Sequence, residues 1–308
     1  MKNSQEITFN KDLLLIDIGG TEIKLARLAS GQKNLEKLPS LETRASEGAT
    51  RMLERLMEHI KDYDFQAIGI ATAGQVDVHD GSILYANPNI PAYKGMPLRT
   101  KFAERFAVPV CVENDVNAAA LGELYFGIGR SLGIENFLCI TVGTGIGGAI
   151  IKDKKLHRGY YGGAGEFGHL ITHADVRLKS DGKDELAGCY ESYASTSALV
   201  KTAMKYDERL SDGRKVFAHF DDPQVKKMID EWIGEMAMGL VSLIHALSPE
   251  MIIFAGGIMR EPYIIETLND LLERHVFPSF WPVKLRRAEL GSDANLWGAA
   301  VPFIEKFS

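Results

Sequence analysis

The stretch LLLIDIGGT, residues 13–21, decides the predicted fold. It is an apolar run that ends in an acid, Asp17, and continues into a turn of small residues. An apolar pattern resumes over residues 23–28, so the stretch predicts a strand, a tight glycine turn and a second strand. The stretch CITVGTG, residues 139–145, has the same arrangement roughly one domain length further along. We therefore expect two similar domains whose glycine turns lie in one cleft.

Strand and helix patterns alternate along the rest of the chain, which predicts the α/β class. Apolar residues at helical spacing predict an amphipathic helix over residues 47–63, and the run AIGIAT predicts a buried strand over 67–72. Residues 174–188 are polar and show no periodicity. The other predicted strands cover 109–113, 137–142, 149–152, 251–255 and 283–287. The other predicted helices cover 98–106, 114–125, 193–205, 223–247, 262–275 and 294–304.

Composition excludes several classes of protein. With 45% hydrophobic and 25% charged residues, the 308-residue chain is not disordered. A net charge of −6 without a basic block argues against nucleic acid as a partner. The longest nearly apolar stretch, 236–247, is too short to span a membrane. Three scattered cysteines (Cys111, Cys139 and Cys189) and the lack of a signal core predict a reducing cytoplasm.

The glycine-rich stretch GTGIGG, residues 143–148, is a candidate phosphate-binding loop. It fits the dinucleotide pattern only formally, because residues 149–151 predict a strand where that motif needs a helix. Bare backbone N–H groups in a glycine hairpin can still approach a phosphate closely, and Thr144 adds a hydroxyl donor. The alternative is a plain hairpin turn.

Two acidic residues that follow strands are candidates for catalysis. Asp17 precedes a glycine turn and suits a hydrated Mg²⁺ ion near phosphates, although an acid there can also simply form the turn. In Glu113-Asn114-Asp115-x-Asn117 a strand meets a helix. Asn114 could orient a hydroxyl whose proton Asp115 accepts, and the alternative is that these side chains cap the helix.

Three further polar residues suit the hydroxyl groups of a sugar. Glu166 and His169 lie three residues apart in the loop GEFGH, and Glu191 follows Cys189-Tyr190. Such side chains accept and donate hydrogen bonds along a polyol. The alternative is that they are solvated loop residues.

Together and in this order, these motifs resemble the ROK family (repressors, open reading frames and kinases) of the actin-like, hexokinase-like superfamily. The matching stretches are DIGGT (17–21), PNIP (88–91), ENDVNA (113–118), GTGIGG (143–148), GEFGH (165–169), Glu191 and GGI (256–258). The resemblance implies two actin/hexokinase-like (ribonuclease H-like) α/β domains around a central cleft. It places them at residues 1–118 and 119–293, with a final helix at 294–308 packing back on the first.

The resemblance also implies ATP-dependent phosphorylation of a hexose, usually at the 6-hydroxyl, with Asp115 as the general base. Asp17 would hold Mg²⁺ through water. The ATP site would comprise Asp17, Gly19, Gly20, Thr21, Gly143, Thr144, Gly145, Gly256 and Gly257. The sugar site would comprise Asn89, Asn114, Asp115, Glu166, His169 and Glu191. Such a protein is expected to be a homodimer.

One departure from the family concerns zinc. Many members carry Cys-x-Cys-Gly before Gly-Cys-x-Glu, and these cysteines bind a structural zinc ion together with the histidine that matches His169. Cys189 is present here, but residues 174–187 contain no cysteine. His173 or Asp175 could substitute only in principle, so we expect no zinc. The zinc site normally fixes the loop that carries Glu191.

The resemblance leaves the substrate and two other functions open. N-acetylmannosamine, glucose and a β-glucoside are all substrates in this family, and the pair His169 and Glu191 favours a free hexose or N-acylhexosamine. A sugar-responsive repressor would need an N-terminal DNA-binding segment, whereas about 12 residues precede the first predicted strand. A non-catalytic sugar-binding protein would not need Asp17 and Asp115.

Overall fold

A computed structural model describes residues 7–86 and 90–304 of the chain. These residues form two compact units. The first unit comprises the described residues within 1–132, 159–163 and 292–308, and the second comprises 133–158 and 164–291. The boundary predicted after residue 118 falls inside a helix of the first unit, so we propose residue 132 as the limit instead.

The helices and strands follow the alternation expected from the sequence. The first unit contains β1 (Leu13–Ile18), β2 (Glu22–Leu28), β3 (Glu36–Glu42), α1 (Ala49–Ile60), β4 (Ala67–Thr72), β5 (Gln75–Val76), β6 (Ile83–Tyr85), α2 (Leu98–Phe106), β7 (Val110–Asn114), α3 (Asp115–Tyr125) and α4 (Ile128–Ser131). The second contains β8 (Phe137–Val142), β9 (Ile146–Lys152), β10 (Lys155–His157), α5 (Ala174–Lys179), α6 (Glu191–Ala194), α7 (Thr196–Tyr206), α8 (Gly213–Ala218), α9 (Pro223–Leu247), β11 (Met251–Ala255), α10 (Pro262–His275) and β12 (Lys284–Arg287). Helix α11 (Ala294–Ala300) returns to the first unit.

The sheets of the two units have the same topology. The order is β3-β2-β1-β4-β7 in the first and β10-β9-β8-β11-β12 in the second. In each sheet an antiparallel hairpin, β1–β2 or β8–β9, is followed by two parallel strands. This confirms the internal similarity between residues 13–21 and 139–145.

Strand β1 is buried along its whole length, because both faces of its sheet are covered. Its even-numbered apolar residues face a core that includes Met52 and Leu56 of α1. Leu13 and Leu15 face the opposite core, with Leu296 of α11. Side chains alternate between the faces of a sheet, so a continuous apolar run is what this two-sided burial requires.

The structure differs from the predicted elements where packing or capping overrides the local pattern. Strand β3 was not predicted, because its sequence EKLPSLE is largely exposed and contains a proline, as an edge strand allows. The helix predicted over residues 193–205 is broken at Ser195, whose side chain caps α7 by accepting the N–H of Ala198. The polar segment 174–188, where no element was predicted, contains α5. Helix α11 ends at Ala300 and continues as a 3₁₀ turn (Val301–Phe303).

Helix α11 packs on α3 through contacts that only glycine permits. A Cβ atom at Gly298 would lie 1.7 Å from the carbonyl oxygen of Ala118, and one at Gly122 would lie 2.4 Å from that of Ala294. The two backbones therefore touch directly, which holds the C-terminal helix on the first unit. No helix of the described part of the chain has the length and apolarity needed to cross a membrane.

We predict that Gly298→Ala lowers the free energy of unfolding by about 2 kcal/mol or more, because the added methyl group meets backbone that cannot rotate away. Gly234→Ala in α9 is the matched control. Its Cβ would have no atom within 4 Å, so the variant should gain about 0.5–1 kcal/mol from helix propensity. Urea denaturation measures both, and equal stability of the two variants would refute the close α3–α11 packing.

Candidate active site

Asp17 lies near the end of β1 and is only 5% exposed. Its Oδ1 accepts a hydrogen bond from Asn295 Nδ2 at 3.0 Å, and its Oδ2 lies 3.7 Å from Lys24 Nζ. Burial raises the pKa of Asp17, and the hydrogen bond from Asn295 and the charge of Lys24 oppose that rise. Neither partner was predicted from the sequence. Lys24 pairs with Asp17 across the β1–β2 hairpin, whereas Asn295 arrives on α11.

The turn that follows Asp17 is held by its backbone and by Thr43. Gly19 N donates to Glu22 O at 3.1 Å, and a Cβ at Gly19 would lie 2.9 Å from that oxygen. The buried Thr43 hydroxyl donates to Gly19 O at 2.7 Å, and Thr43 N donates to Thr21 O at 2.8 Å. Gly20 and Thr21 are exposed at the tip. The tip at Gly20 and Thr21 is therefore accessible, whereas the N–H of Gly19 is used within the turn, and phosphate binding by these three residues stays a prediction.

The donor set at Asp17 fits a magnesium ion that is bound mainly by water and phosphate. Mg²⁺ in proteins prefers one or two carboxylates and retains several water ligands. A buried carboxylate whose pKa is raised by desolvation gains from a nearby cation, because the cation stabilises the charged form. Asp17 would therefore hold the ion, which would supply charge neutralisation at the phosphates.

Asn114 and Asp115 lie at the junction of β7 and α3. Asn114 Oδ1 accepts the N–H groups of Val116 and Asn117 at 2.9 and 3.0 Å, so the predicted N-cap is confirmed at Asn114. Asn114 Nδ2 donates to Gly74 O and to Asp115 Oδ1, both at 3.0 Å. Capping and orientation of Asp115 therefore use the same amide, and the two interpretations of this motif do not compete.

The amide of Asn114 is saturated by these four hydrogen bonds, because a primary amide offers two donors and two acceptor positions. Its clearest role is to position Asp115, and direct contact with a sugar stays a prediction. Asp115 itself is half-buried, and its Oδ1 also accepts Val116 N at 2.9 Å. Asn89, the other sugar residue predicted for this unit, lies outside the described residues.

Tyr93, which the sequence does not single out, is a buried residue that feels the charge of Asp115. Its ring is buried, and its hydroxyl lies 2.5 Å from Thr72 Oγ1. Burial is the main cause of a raised pKa of Tyr93, and the negative charge of Asp115 raises this pKa further. Tyr93 therefore stays protonated at neutral pH. Its signal in the sequence is weak, because it lies in a loop rich in proline and glycine.

In the second unit, the β8–β9 turn adopts the predicted glycine hairpin. Gly143 N donates to Gly145 O at 3.0 Å, and Thr196 N of α7 donates to Gly143 O at 3.0 Å. Gly143 and Thr144 are exposed. The turn is thus fixed by backbone hydrogen bonds while its tip remains open to a ligand.

A cavity of about 690 Å³ opens beside this turn, within the size range of small-molecule sites. Gly143, Thr144 and Gly257 of the predicted ATP site line it together. Gly145 and Gly256 do not line it, but Gly256 has φ +116° and a Cβ there would lie 2.2 Å from Val142 O. Gly256 therefore allows the end of β11 to approach β8.

The other walls of this cavity come from segments that carry no recognisable motif. They are Val142, Thr196, Ser197, Val200, Lys201, Met204, Ser211, Asp212, Gly213, Arg214 and Ile258. Thr196 and Ser197 begin α7, and a helix N-terminus favours anionic phosphate. Lys201 and Arg214 add positive charge to the wall, and Asp212 adds one negative charge. The cavity thus fits a nucleotide.

Glu166 and His169 remain accessible in the second unit. Their side chains are about half exposed, and His169 Nδ1 lies 4.0 Å from Glu166 Oε2. Glu191 is oriented differently, because its Oε2 accepts the N–H of Ile146 at 3.1 Å. The predicted sugar residues of this unit are therefore two accessible side chains and one carboxylate that contacts the glycine turn.

Hydrogen bonds and an aromatic stack hold the segment around Cys189, for which the sequence predicts no zinc. Ile171 pairs with Cys189 in an antiparallel bridge, and His173 N donates to Gly188 O at 3.1 Å. The His173 ring stacks on Tyr193 with 3.6 Å between centroids, and its Nε2 lies 3.5 Å from Glu235 Oε1. Within residues 7–86 and 90–304, no group of three or more His, Cys, Asp or Glu side chains could hold a metal ion.

The fold is the actin-like ATPase fold of the solved ROK hexokinase from Thermus thermophilus, which has a TM-score of 0.78 and 32% identity, covering 94% of this chain and 97% of that chain. The sequence model of the ROK family matches residues 13–306. The chain therefore belongs to the ROK family, as the motifs predict.

Several relatives of this chain are named as sugar kinases. A glucokinase from Streptomyces coelicolor is 32% identical over 92% of this chain and 95% of the relative. An N-acetylmannosamine kinase from Haemophilus influenzae is 28% identical over 93% of both chains. The solved ROK glucokinase from Streptomyces griseus, in complex with glucose and AMPPNP, has a TM-score of 0.79 and 30% identity, covering 95% of this chain and 99% of that chain. These relatives support a sugar kinase that uses ATP.

We predict that Asp17→Asn raises the thermal unfolding midpoint at pH 7. Because the folded-state pKa of Asp17 lies above 3.8, the buried charge destabilises the folded protein at neutral pH, and this cost declines as the pH falls towards 3.8. The rise in the unfolding midpoint caused by Asp17→Asn should therefore become smaller at lower pH. Asp12→Asn is the opposite control, because a hydrogen bond from Ser30 N lowers the pKa of Asp12 and its charge stabilises the fold. Scanning calorimetry from pH 7 down to about pH 4, which covers the fall through the folded-state pKa of Asp17 towards 3.8, measures both variants, and destabilisation by Asp17→Asn at pH 7 would contradict this interpretation.

Proposed function

We propose that this chain is an ATP-dependent kinase that phosphorylates a free hexose or an N-acylhexosamine, such as glucose or N-acetylmannosamine, at the 6-hydroxyl. The observation that carries the proposal is the arrangement of Asp115. Its carboxylate is half-buried at the start of α3 and is oriented by an asparagine with no hydrogen-bonding capacity left. A fixed carboxylate of this kind is suited to accept the proton of a bound hydroxyl group.

In the proposed reaction the sugar oxygen attacks the terminal phosphorus of ATP. Its proton passes to Asp115, the phosphoryl–oxygen bond to ADP breaks, and sugar phosphate and ADP leave. Phosphoryl transfer depends mainly on positioning and on charge neutralisation. Gly20, Thr21 and the turn at Gly143 would supply donors to the phosphates, and Asp17 would hold Mg²⁺ through water.

The choice of a free sugar rests on Glu166, His169 and Glu191. Two of these side chains are accessible in the second unit, and carboxylate and imidazole groups hydrogen-bond readily to sugar hydroxyls. Together they would grip the anomeric end of the sugar, which leaves little space for an aglycone. This arrangement favours a free hexose or N-acylhexosamine over a glycoside.

A β-glucoside is the second candidate substrate, and one feature favours it. Tyr160 and Tyr161 are 93% and 81% exposed and lie edge to face on the loop that precedes Glu166. The loop is held by Gln75 Nε2, which donates to Tyr161 O at 2.9 Å. Gln75 follows Gly74, the acceptor of the Asn114 amide. Aromatic rings offer large apolar faces that could pack on an aglycone.

We also propose that the chain folds without structural zinc, and elemental analysis of the purified protein should find well below one zinc per chain. The support is that Cys189 Sγ lies 3.6 Å from Glu185 O, and His173 is stacked on Tyr193. A stoichiometric zinc content that chelators remove only with unfolding would contradict this proposal.

Asp115→Asn should reduce turnover by at least about 100-fold, because loss of a general base typically costs 10²–10⁴ in rate. Sugar affinity, measured by calorimetry, should change little, since an asparagine keeps hydrogen-bonding capacity. ADP release and ³¹P NMR of the product give the rate and the position of phosphorylation.

The matched control is Asp153→Asn, which makes the same substitution at an exposed turn where φ is +51° and asparagine is tolerated. It should leave turnover unchanged. If Asp115→Asn turns over at a rate similar to wild type, Asp115 is not the base. If wild type shows no turnover with any sugar although sugar still binds, the chain is a sugar-binding protein and not a kinase.

A further inference from the structure

The carboxylate of Glu191 lies against the phosphate-binding turn of the second unit. Its Oε2 accepts the N–H of Ile146 at 3.1 Å. A Cβ atom at Gly145 would lie 2.5 Å from this oxygen, and a Cβ atom at Gly168 would lie 2.7 Å from it. The carboxylate is therefore packed between a glycine of the β8–β9 turn and a glycine of the loop that carries Glu166 and His169.

The hydrogen bond to Glu191 determines which amides of the turn remain for a phosphate. Gly143 N already donates to Gly145 O, and Ile146 N donates to Glu191. The N–H groups of Thr144 and Gly145 have no backbone acceptor in the part of the chain that the structure describes. Glycine-rich turns lose much conformational entropy when they order, so a fixed contact at Ile146 makes the phosphate-binding shape less costly to form.

Glu191 is itself held firmly by helix α9. The neighbouring Tyr190 is buried, and its hydroxyl donates to Met236 O at 2.7 Å. Its ring lies against Gly239, where a Cβ would come within 2.3 Å of the ring. Trp232 Nε1 donates to Ser195 O at 2.9 Å, just after α6. Two side-chain hydrogen bonds thus fix both ends of α6 to the core of the unit, with Glu191 between them.

We propose that Glu191 is a positioning residue for the nucleotide: it holds residues 143–146 in the shape that binds phosphate, whether or not a sugar is present. The proposal rests on the proposed ATP site, but it adds a role that sugar contact does not include. A residue that only touches sugar would leave nucleotide binding unchanged in the absence of sugar. Loss of a residue that holds the turn would instead weaken nucleotide binding even when no sugar is present.

The test is the affinity for Mg²⁺–AMPPNP without sugar, measured by calorimetry on the full chain. Glu191→Ala removes the acceptor for Ile146 N and should weaken binding about three- to tenfold, the range expected for one hydrogen bond. Glu191→Gln keeps an acceptor oxygen and should bind within about twofold of wild type. Glu231→Ala, at an exposed position of α9, controls for loss of a carboxylate from the same unit.

Wild-type AMPPNP affinity in Glu191→Ala would overturn the proposal. If that variant does not fold, Gly145→Ala provides the second test, because its methyl group must displace Glu191 Oε2. Unchanged AMPPNP affinity in Gly145→Ala would then overturn the proposal. The proposed kinase activity fails separately: weaker AMPPNP binding in Glu191→Ala without sugar turnover in wild type would support the positioning role and refute the kinase.

Discussion

The parallel pairing of β1, β4 and β7 is the constraint on which the first unit's chemistry depends. Its register aligns Ile18 with Thr72 and Thr72 with Asn114. The carboxyl ends of parallel strands share one edge of a sheet, so Asp17 and Asp115 reach the same edge although they are distant in sequence. Each acid then needs a partner that fixes its orientation. Asn295 supplies this for Asp17, and Asn114 supplies it for Asp115.

The second unit uses the same sheet topology for a different task. Its β8–β9 hairpin carries no acid equivalent to Asp17, since Thr141 and Val142 end the strand. Its glycine turn instead borders a nucleotide-sized cavity. Hydrogen bonds with the side chain of Glu191 and the backbone N–H of Thr196 hold this turn in place. The repeated architecture thus presents a carboxylate at one turn and open backbone donors at the other, and phosphoryl transfer uses both kinds of group.

The local sequence pattern predicted most of the fold, because apolar spacing and characteristic terminal residues show where many elements begin and end. The elements predicted with the observed bounds are β4, β8, β11, α2, α9 and α10. The pattern also located the glycine turns and the N-cap at Asn114, since these depend on neighbours in sequence. It could not find Asn295, which lies 278 residues from Asp17, or the buried Tyr93, whose pKa the charge of Asp115 raises, because both depend on tertiary packing. Glu191 was expected at the sugar, and only the three-dimensional contact with Ile146 shows its place at the turn.

ADP release measured across a panel of sugars is the decisive test of whether the protein is a sugar kinase. The panel should contain free hexoses, N-acylhexosamines and β-glucosides, each with Mg²⁺ and ATP. We expect turnover with at least one free hexose or N-acylhexosamine, and a lower kcat/KM with the matching glycosides. A strong preference for glycosides would contradict the substrate assignment. Measurable sugar binding without ADP release from any member of the panel would contradict the kinase itself.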